Sequence, residues 1–155
     1  MTDINTLRNR VNSLAQGMFE DSQLSEDGSL WISYDSTALN VEVVQVTEGL
    51  DELADKLGIS KLFVQIRAIV LLNVKVTNEL NETIANWSPT DLLPGVSLYL
   101  SPQEAGTANI IACAVLSAED LDESELRTGL MSVAVTSNYL DDEMKGQFGG
   151  TRVGD

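Results

Sequence analysis

The chain has no histidine, one cysteine, three prolines and aromatic residues at only 5% of its positions. Each shortage removes a class of chemistry. Without histidine there is no imidazole to serve as general base, no Ser–His or Cys–His nucleophile pair, and none of the commonest metal ligand. A single cysteine cannot cross-link its own chain, and without histidine it leaves structural zinc short of ligands. That residue, Cys113, sits in "ANIIACAVL". Apolar surroundings raise a thiol's pKa, so Cys113 reads as core packing and not as a reactive group. The glycines stand singly in turn-like stretches apart from Gly149-Gly150, so no phosphate-cradling loop is present.

Positive charge is also scarce: 9 bases face 24 acids, for a net charge of −15. The asymmetry grows along the chain, with 11 acids and 6 bases up to Val76 against 13 and 3 from Thr77 onward. Such a field repels phosphate backbones, and no Lys/Arg cluster offsets it locally, so nucleic acid is not an expected partner. Long apolar runs are missing too. Runs such as "AIVLLNV" from Ala68 to Val74 fall far short of the ~20 residues that a membrane helix needs. The first residues, "MTDINTLRNRV", hold no apolar stretch of the kind a secretory signal uses. The expectation is a cytoplasmic protein with no membrane partner.

What is present is an aliphatic α+β pattern over 155 residues, read as one domain spanning 1–150 with a disordered tail at 151–155. Ile4, Leu7, Val11, Leu14, Ala15 and Met18 fall at helical spacing, with Thr2 or Asp3 as N-cap. Asp27-Gly28 marks a turn, "LWISY" alternates as a strand, and "DST" from Asp35 marks a second turn. A further strand follows, whose phase slips at Val43-Val44 as a bulge would make it. "GLDELADKLG" reads as a short helix or helical loop closed by Gly58.

The strongest strand signal is Leu62 to Val76, where every second residue is apolar and Gln65, Arg67, Asn73 and Lys75 fall on the other face. A short helix follows, capped by Thr77 or Asn78, with Leu80, Ile84 and Trp87 on one face and Ser88-Pro89 ending it. "GVSLYL" and "TANIIACAVL" are two more strands joined by the hairpin loop "SPQEAG". Asp122 and Glu125 then form a capping box for a long last helix, whose apolar stripe runs from Leu126 through Leu130, Val133, Ser137, Leu140 and Met144 to Phe148. Asp141, Asp142 and Glu143 sit near its C-terminus, where the helix dipole disfavours negative charge. The order α-β-β-β-α-β-β-α, with strands joined by hairpins, argues an antiparallel sheet with helices on one face.

The carboxylate clusters Glu119-Asp120, Asp122-Glu123 and Asp141 to Glu143 read as solvated charge. "DLDESELRTGLM" starts like a calcium loop, but Glu125 stands where glycine is needed and Met131 where the bidentate Glu is needed. Neither a catalytic residue, nor a metal, nor a cofactor is expected, and the chain reads as a non-enzyme.

The element order resembles that of the class I type III secretion chaperones. The segments "VTNELNETIANW", "GVSLYLS" and "NIIACAVLSAEDLDESELRTGLMSVAV" look closer to the YbjN-like domains, a bacterial family described as sensory transduction regulators. "WSPTDLLPG" departs from that pattern, which has a shorter link before the next strand. The resemblance implies a cytoplasmic homodimer acting as a chaperone-like or regulatory module that holds a polypeptide client. Trp31, Phe63, Ile84 and Trp87 are the candidate partner contacts. The alternatives are a small ligand-sensing domain or a carboxylate-dependent enzyme, marked by a pocket of acids with raised pKa values, and a regulator that titrates a basic partner.

Overall fold

A computed structural model describes residues 3–87, 93 and 95–155. Helix α1 (Ile4–Met18) is followed by strands β1 (Ser22–Leu24), β2 (Leu30–Tyr34) and β3 (Thr37–Gln45). Helix α2 (Asp51–Leu57), strand β4 (Leu62–Lys75) and helix α3 (Asn78–Ala85) come next. Strand β5 (Ser97–Pro102), a 3₁₀ turn at Glu104–Gly106, strand β6 (Thr107–Ser117) and helix α4 (Glu123–Phe148) complete the chain. The six strands form one antiparallel sheet in the order β1-β2-β3-β4-β6-β5. The expected order is therefore met, with β1 added at one edge and α2 fully helical. β1 was not anticipated because three residues are too few to show alternation.

Local chemistry sets the ends of the helices. Asp3 accepts from the backbone N–H of Thr6 and caps α1, while Thr77 accepts from that of Leu80 and caps α3. The capping box of α4 is present in both halves: Glu125 N–H donates to Asp122, and Asp122 N–H donates to Glu125. Gly58 ends α2 in the left-handed conformation, at φ 64°. The proposed stop at Ser88-Pro89 lies outside the described residues.

One apolar core fills the space between the sheet and its helices. Leu7, Val11 and Ala15 of α1, Leu80 of α3, and Leu126, Leu130, Val133 and Leu140 of α4 meet Leu39, Val41, Val64, Ile66 and Ile110 of the sheet. The helix stripes and the inward strand positions are thus one set of residues. At Gly129 the helix α4 comes so close to the sheet that a Cβ there would stand 2.8 Å from Leu116 Cδ1 and 3.0 Å from Ile66 Cδ1.

Three sequence expectations need correction. β3 pairs with β4 in unbroken register through Val43↔Val64 and Val44↔Phe63, so no bulge falls at Val43-Val44. The irregularities lie instead in β4, whose pairing with β6 steps from Ile69↔Ile111 to Leu71↔Ile110 and then to Val74↔Ala108. Each step gives β4 one more residue than β6, so the apolar face of β4 is interrupted: Val70 and Leu71 are both buried, and Val76 is exposed. Asn73 takes the strain at φ 53°, a conformation asparagine tolerates, and its N–H donates to the Asn109 side chain.

The third correction concerns 151–155, which is ordered against the body. Thr151 forms an isolated antiparallel bridge with Leu72. Arg152 pairs with Asp141 and Asp142, and Lys145 with Asp155. This explains the acids near the end of α4, which the helix dipole alone does not: Arg152 meets them from the returning tail. Asp141, only 4% exposed, also accepts from Ser36 Oγ at 2.7 Å, and so links the β2–β3 hairpin to α4.

Candidate binding face on the uncovered side of the sheet

No described element covers the second face of the sheet. Alternation puts one residue from each strand into rows across it. One row runs Gln23, Trp31, Asn40, Arg67, Cys113, Ser97 through all six strands. To one side of it Ile69, Ile111 and Tyr99 form a second row. To the other side lie Glu42, Gln65 and Val115, and beyond them Val44, Phe63 and Ser117.

The face mixes apolar and uncharged polar residues and carries little charge. Trp31, Tyr99 and Val115 are exposed on it, while Phe63 and Ile69 are half-buried. Across the six strands the acids number one, Glu42, and the bases two, Arg67 and Lys75. The remaining acids of this −15 chain lie outside the strands. Arg67 Nη2 donates to Asn40 Oδ1 at 3.1 Å and meets Glu42 Oε2 at 3.4 Å, so the central charge is balanced within the face. Both partners of that pair are about a third exposed, which keeps its net contribution to roughly 0–1 kcal/mol.

Between Trp31 and Tyr99 is a hollow of about 200 Å³ floored by Arg67, Ile69 and Ile111. It is smaller than the roughly 300–1,000 Å³ of small-molecule pockets. A single side chain of a partner would fit such relief. Cys113 is buried beside Arg67, and burial pushes its thiol above the ordinary 9.0. It is packed as the sequence suggested, but beneath this outer face and not in the core under the helices.

The structure brings Trp31 and Phe63 onto this face and does not bring Ile84 and Trp87 there. Ile84 lies in the last turn of α3 and Trp87 just beyond it, and both pack against the core on the helix side. Tyr99, Ile111 and Val115 belong to the face and were missed, because β5 and β6 carry apolar residues on both sides and alternation cannot say which side stays open. The acids do not converge on the hollow. Among the described residues two carboxyl groups shift clearly, Asp27 through the Ser29 N–H and hydroxyl and Asp155 through Lys145, and both fall below the usual 3.8. Among the described residues no cluster of His, Cys, Asp or Glu could hold a metal ion, and no helix is long and apolar enough to cross a membrane.

No protein-family model and no curated protein sequence matches the chain. Among solved structures it is similar to YbjN, "a putative transcription regulator from E. coli", at 13% identity over 90% of this chain and 94% of that one, with a TM-score of 0.34. At that score the fold and the face stand on this chain's own residues.

Proposed function

We propose that the chain is a protein-binding module without enzymatic activity, which pairs with a second copy of itself through the uncovered face of the sheet. In that paired form it serves as a chaperone-like or regulatory holder of a polypeptide partner. The observation that carries this reading is the depletion of charge on one face of a strongly acidic molecule, where Trp31, Tyr99 and Val115 stand exposed. Two copies at −15 each repel over most of their surface. Repulsion is least where the strands carry one acid and two bases, and Trp31, Tyr99 and Val115 are exposed there as well. Trp31, Tyr99 and Val115 would then lose their exposed apolar surface to the partner copy, with Arg67 and Glu42 balancing each other at the centre. The carboxylate-enzyme alternative draws no support from a hollow this small, nor from acids shifted downward.

The test is the mass in solution by light scattering, at several protein and salt concentrations. The expected result is about twice 16.8 kDa for the native chain. Trp31→Glu and Val115→Glu, each with unchanged circular dichroism, should return the mass of one chain. A native protein that stays monomeric at every concentration, or a dimer indifferent to both substitutions, would overturn the reading.

A further inference from the structure

Helix α2 points its apolar stripe away from the body. Leu50, Leu53 and Leu57 recur at helical spacing, Ile59 follows the Gly58 cap, and they are exposed by 50%, 50%, 63% and 54%. Only Ala54 of this helix is buried. In a soluble amphipathic helix the apolar stripe ordinarily faces the core. Here one alanine anchors the helix, and the large side chains are left to solvent.

The surroundings are acidic. Glu48, Asp51, Glu52 and Asp55 border the stripe, and Lys61 is already engaged by Asp55 at 2.8 Å. Through Ile59 the stripe runs into a cleft of about 370 Å³, where Ile4 is joined by Asp3, Asp55, Glu119 and Lys61. Apolar floor and carboxylate rim thus continue from the helix into the cleft.

We infer that this stripe and cleft form a docking site for a basic amphipathic helix of another protein. Its apolar side chains would lie along Leu50, Leu53 and Leu57, and its lysines or arginines would meet Glu48, Glu52, Asp3 and Glu119. Charge selects this occupant. A second copy would bring the same carboxylates against these, and like charges facing each other oppose association. The site is separate from pairing through the sheet and stands whether or not the chain dimerises.

The test uses the full chain and a fluorescein-labelled synthetic helix of leucine and lysine, with leucines at i, i+3, i+4 and i+7. Because any cation is drawn to a −15 protein, the deciding variant is Leu53→Ser with Leu57→Ser, which removes the stripe and leaves the net charge unchanged. Both residues are half-exposed, so the fold does not depend on them. The expected result is binding by anisotropy that weakens about ten-fold or more in the double variant. It should also weaken between about 0.05 and 0.5 M salt, and be absent for a leucine–glutamate helix of the same pattern. The mass of the protein should be the same for variant and native chain. Equal binding by variant and native chain, or equal binding of the acidic helix, would overturn the inference. So would a dimer that the double variant dissolves, or co-sedimentation of the native chain with phosphatidylcholine vesicles that the variant loses.

Discussion

Thr151 and Leu72 exchange both backbone hydrogen bonds: Leu72 N–H donates to the Thr151 carbonyl at 2.7 Å, and Thr151 N–H to the Leu72 carbonyl at 3.0 Å. The pairing occupies a stretch of β4 that neither neighbouring strand pairs. Leu72 lies past the β3–β4 pairs, which begin at Leu39↔Ala68, and within the slip between Leu71 and Val74 it has no partner on β6, so the returning tail supplies its partner.

Gly150 is what lets the tail approach. Its φ is +84°, and a Cβ would stand 2.7 Å from the Leu72 carbonyl oxygen. Gly150→Ala should release the tail and cost about 1–3 kcal/mol. Hydrogen exchange at the Leu72 and Thr151 amides, which should lose protection together, checks this. Gly146→Ala is the counterpart: it is helical with nothing within 4 Å, so it should stabilise by about 0.5–1 kcal/mol in a urea melt. Gly129→Ala has the same propensity gain but meets Leu116 and Ile66, and should come out less stable than Gly146→Ala.

The two tryptophans should separate stability from association. Trp87→Ala removes a ring packed against the core and is expected to cost about 2 kcal/mol or more in the unfolding midpoint. Trp31→Ala should change the midpoint by less than about 1 kcal/mol when measured on the monomer, yet weaken self-association by light scattering.

Acid should loosen the tail before the fold. Lys145, and then the Arg152 backbone N–H, hold the Asp155 carboxyl below its ordinary 3.8. A carboxyl depressed in the folded state stabilises above its unfolded pKa, and the effect is lost as pH falls through the folded one. Protection of the Thr151 amide should therefore hold at neutral pH and decline below about pH 4, and Lys145→Ala should reduce that dependence.

Cys113 should alkylate slowly at neutral pH. Its thiol is raised above 9.0 by burial, so little thiolate is available. The iodoacetamide rate should still be climbing past pH 9 in the folded chain, whereas in urea it should rise around the ordinary thiol value. If two copies meet over this face, the rate at fixed pH should fall as protein concentration rises.

Much of the fold was readable because its signals are local. Asp122 and Glu125 name their own helix start, and Leu7, Val11 and Ala15 name a buried stripe. The bulges in β4 were not readable. An extra residue is extra only relative to β6, and the pattern from Leu62 to Val76 looks regular by itself. Nor could the acids Asp141 and Asp142 be explained without Arg152, which the fold brings back from beyond the helix end. The binding face was half legible: aromatic character marked Trp31 and Phe63 as candidates, but also Ile84 and Trp87, which the topology sends to the helix side. The leucines of α2 are visible as a stripe in "GLDELADKLG", but which way the stripe faces is settled by the anchoring of Ala54 alone.

The place of β4 between β3 and β6 also sets an order of assembly. β1, β2 and β3 meet through short connections, so closing them costs little chain entropy. β4 meets β6 only after α3 and β5 have been looped past, and Thr151 meets Leu72 only once α4 has been laid across the sheet. Among the described residues the tail bridge is therefore the most widely separated backbone pairing, and the last of the pairings to close. Unfolding should run the other way, with the tail bridge opening first and the hairpins of β1 to β3 surviving longest.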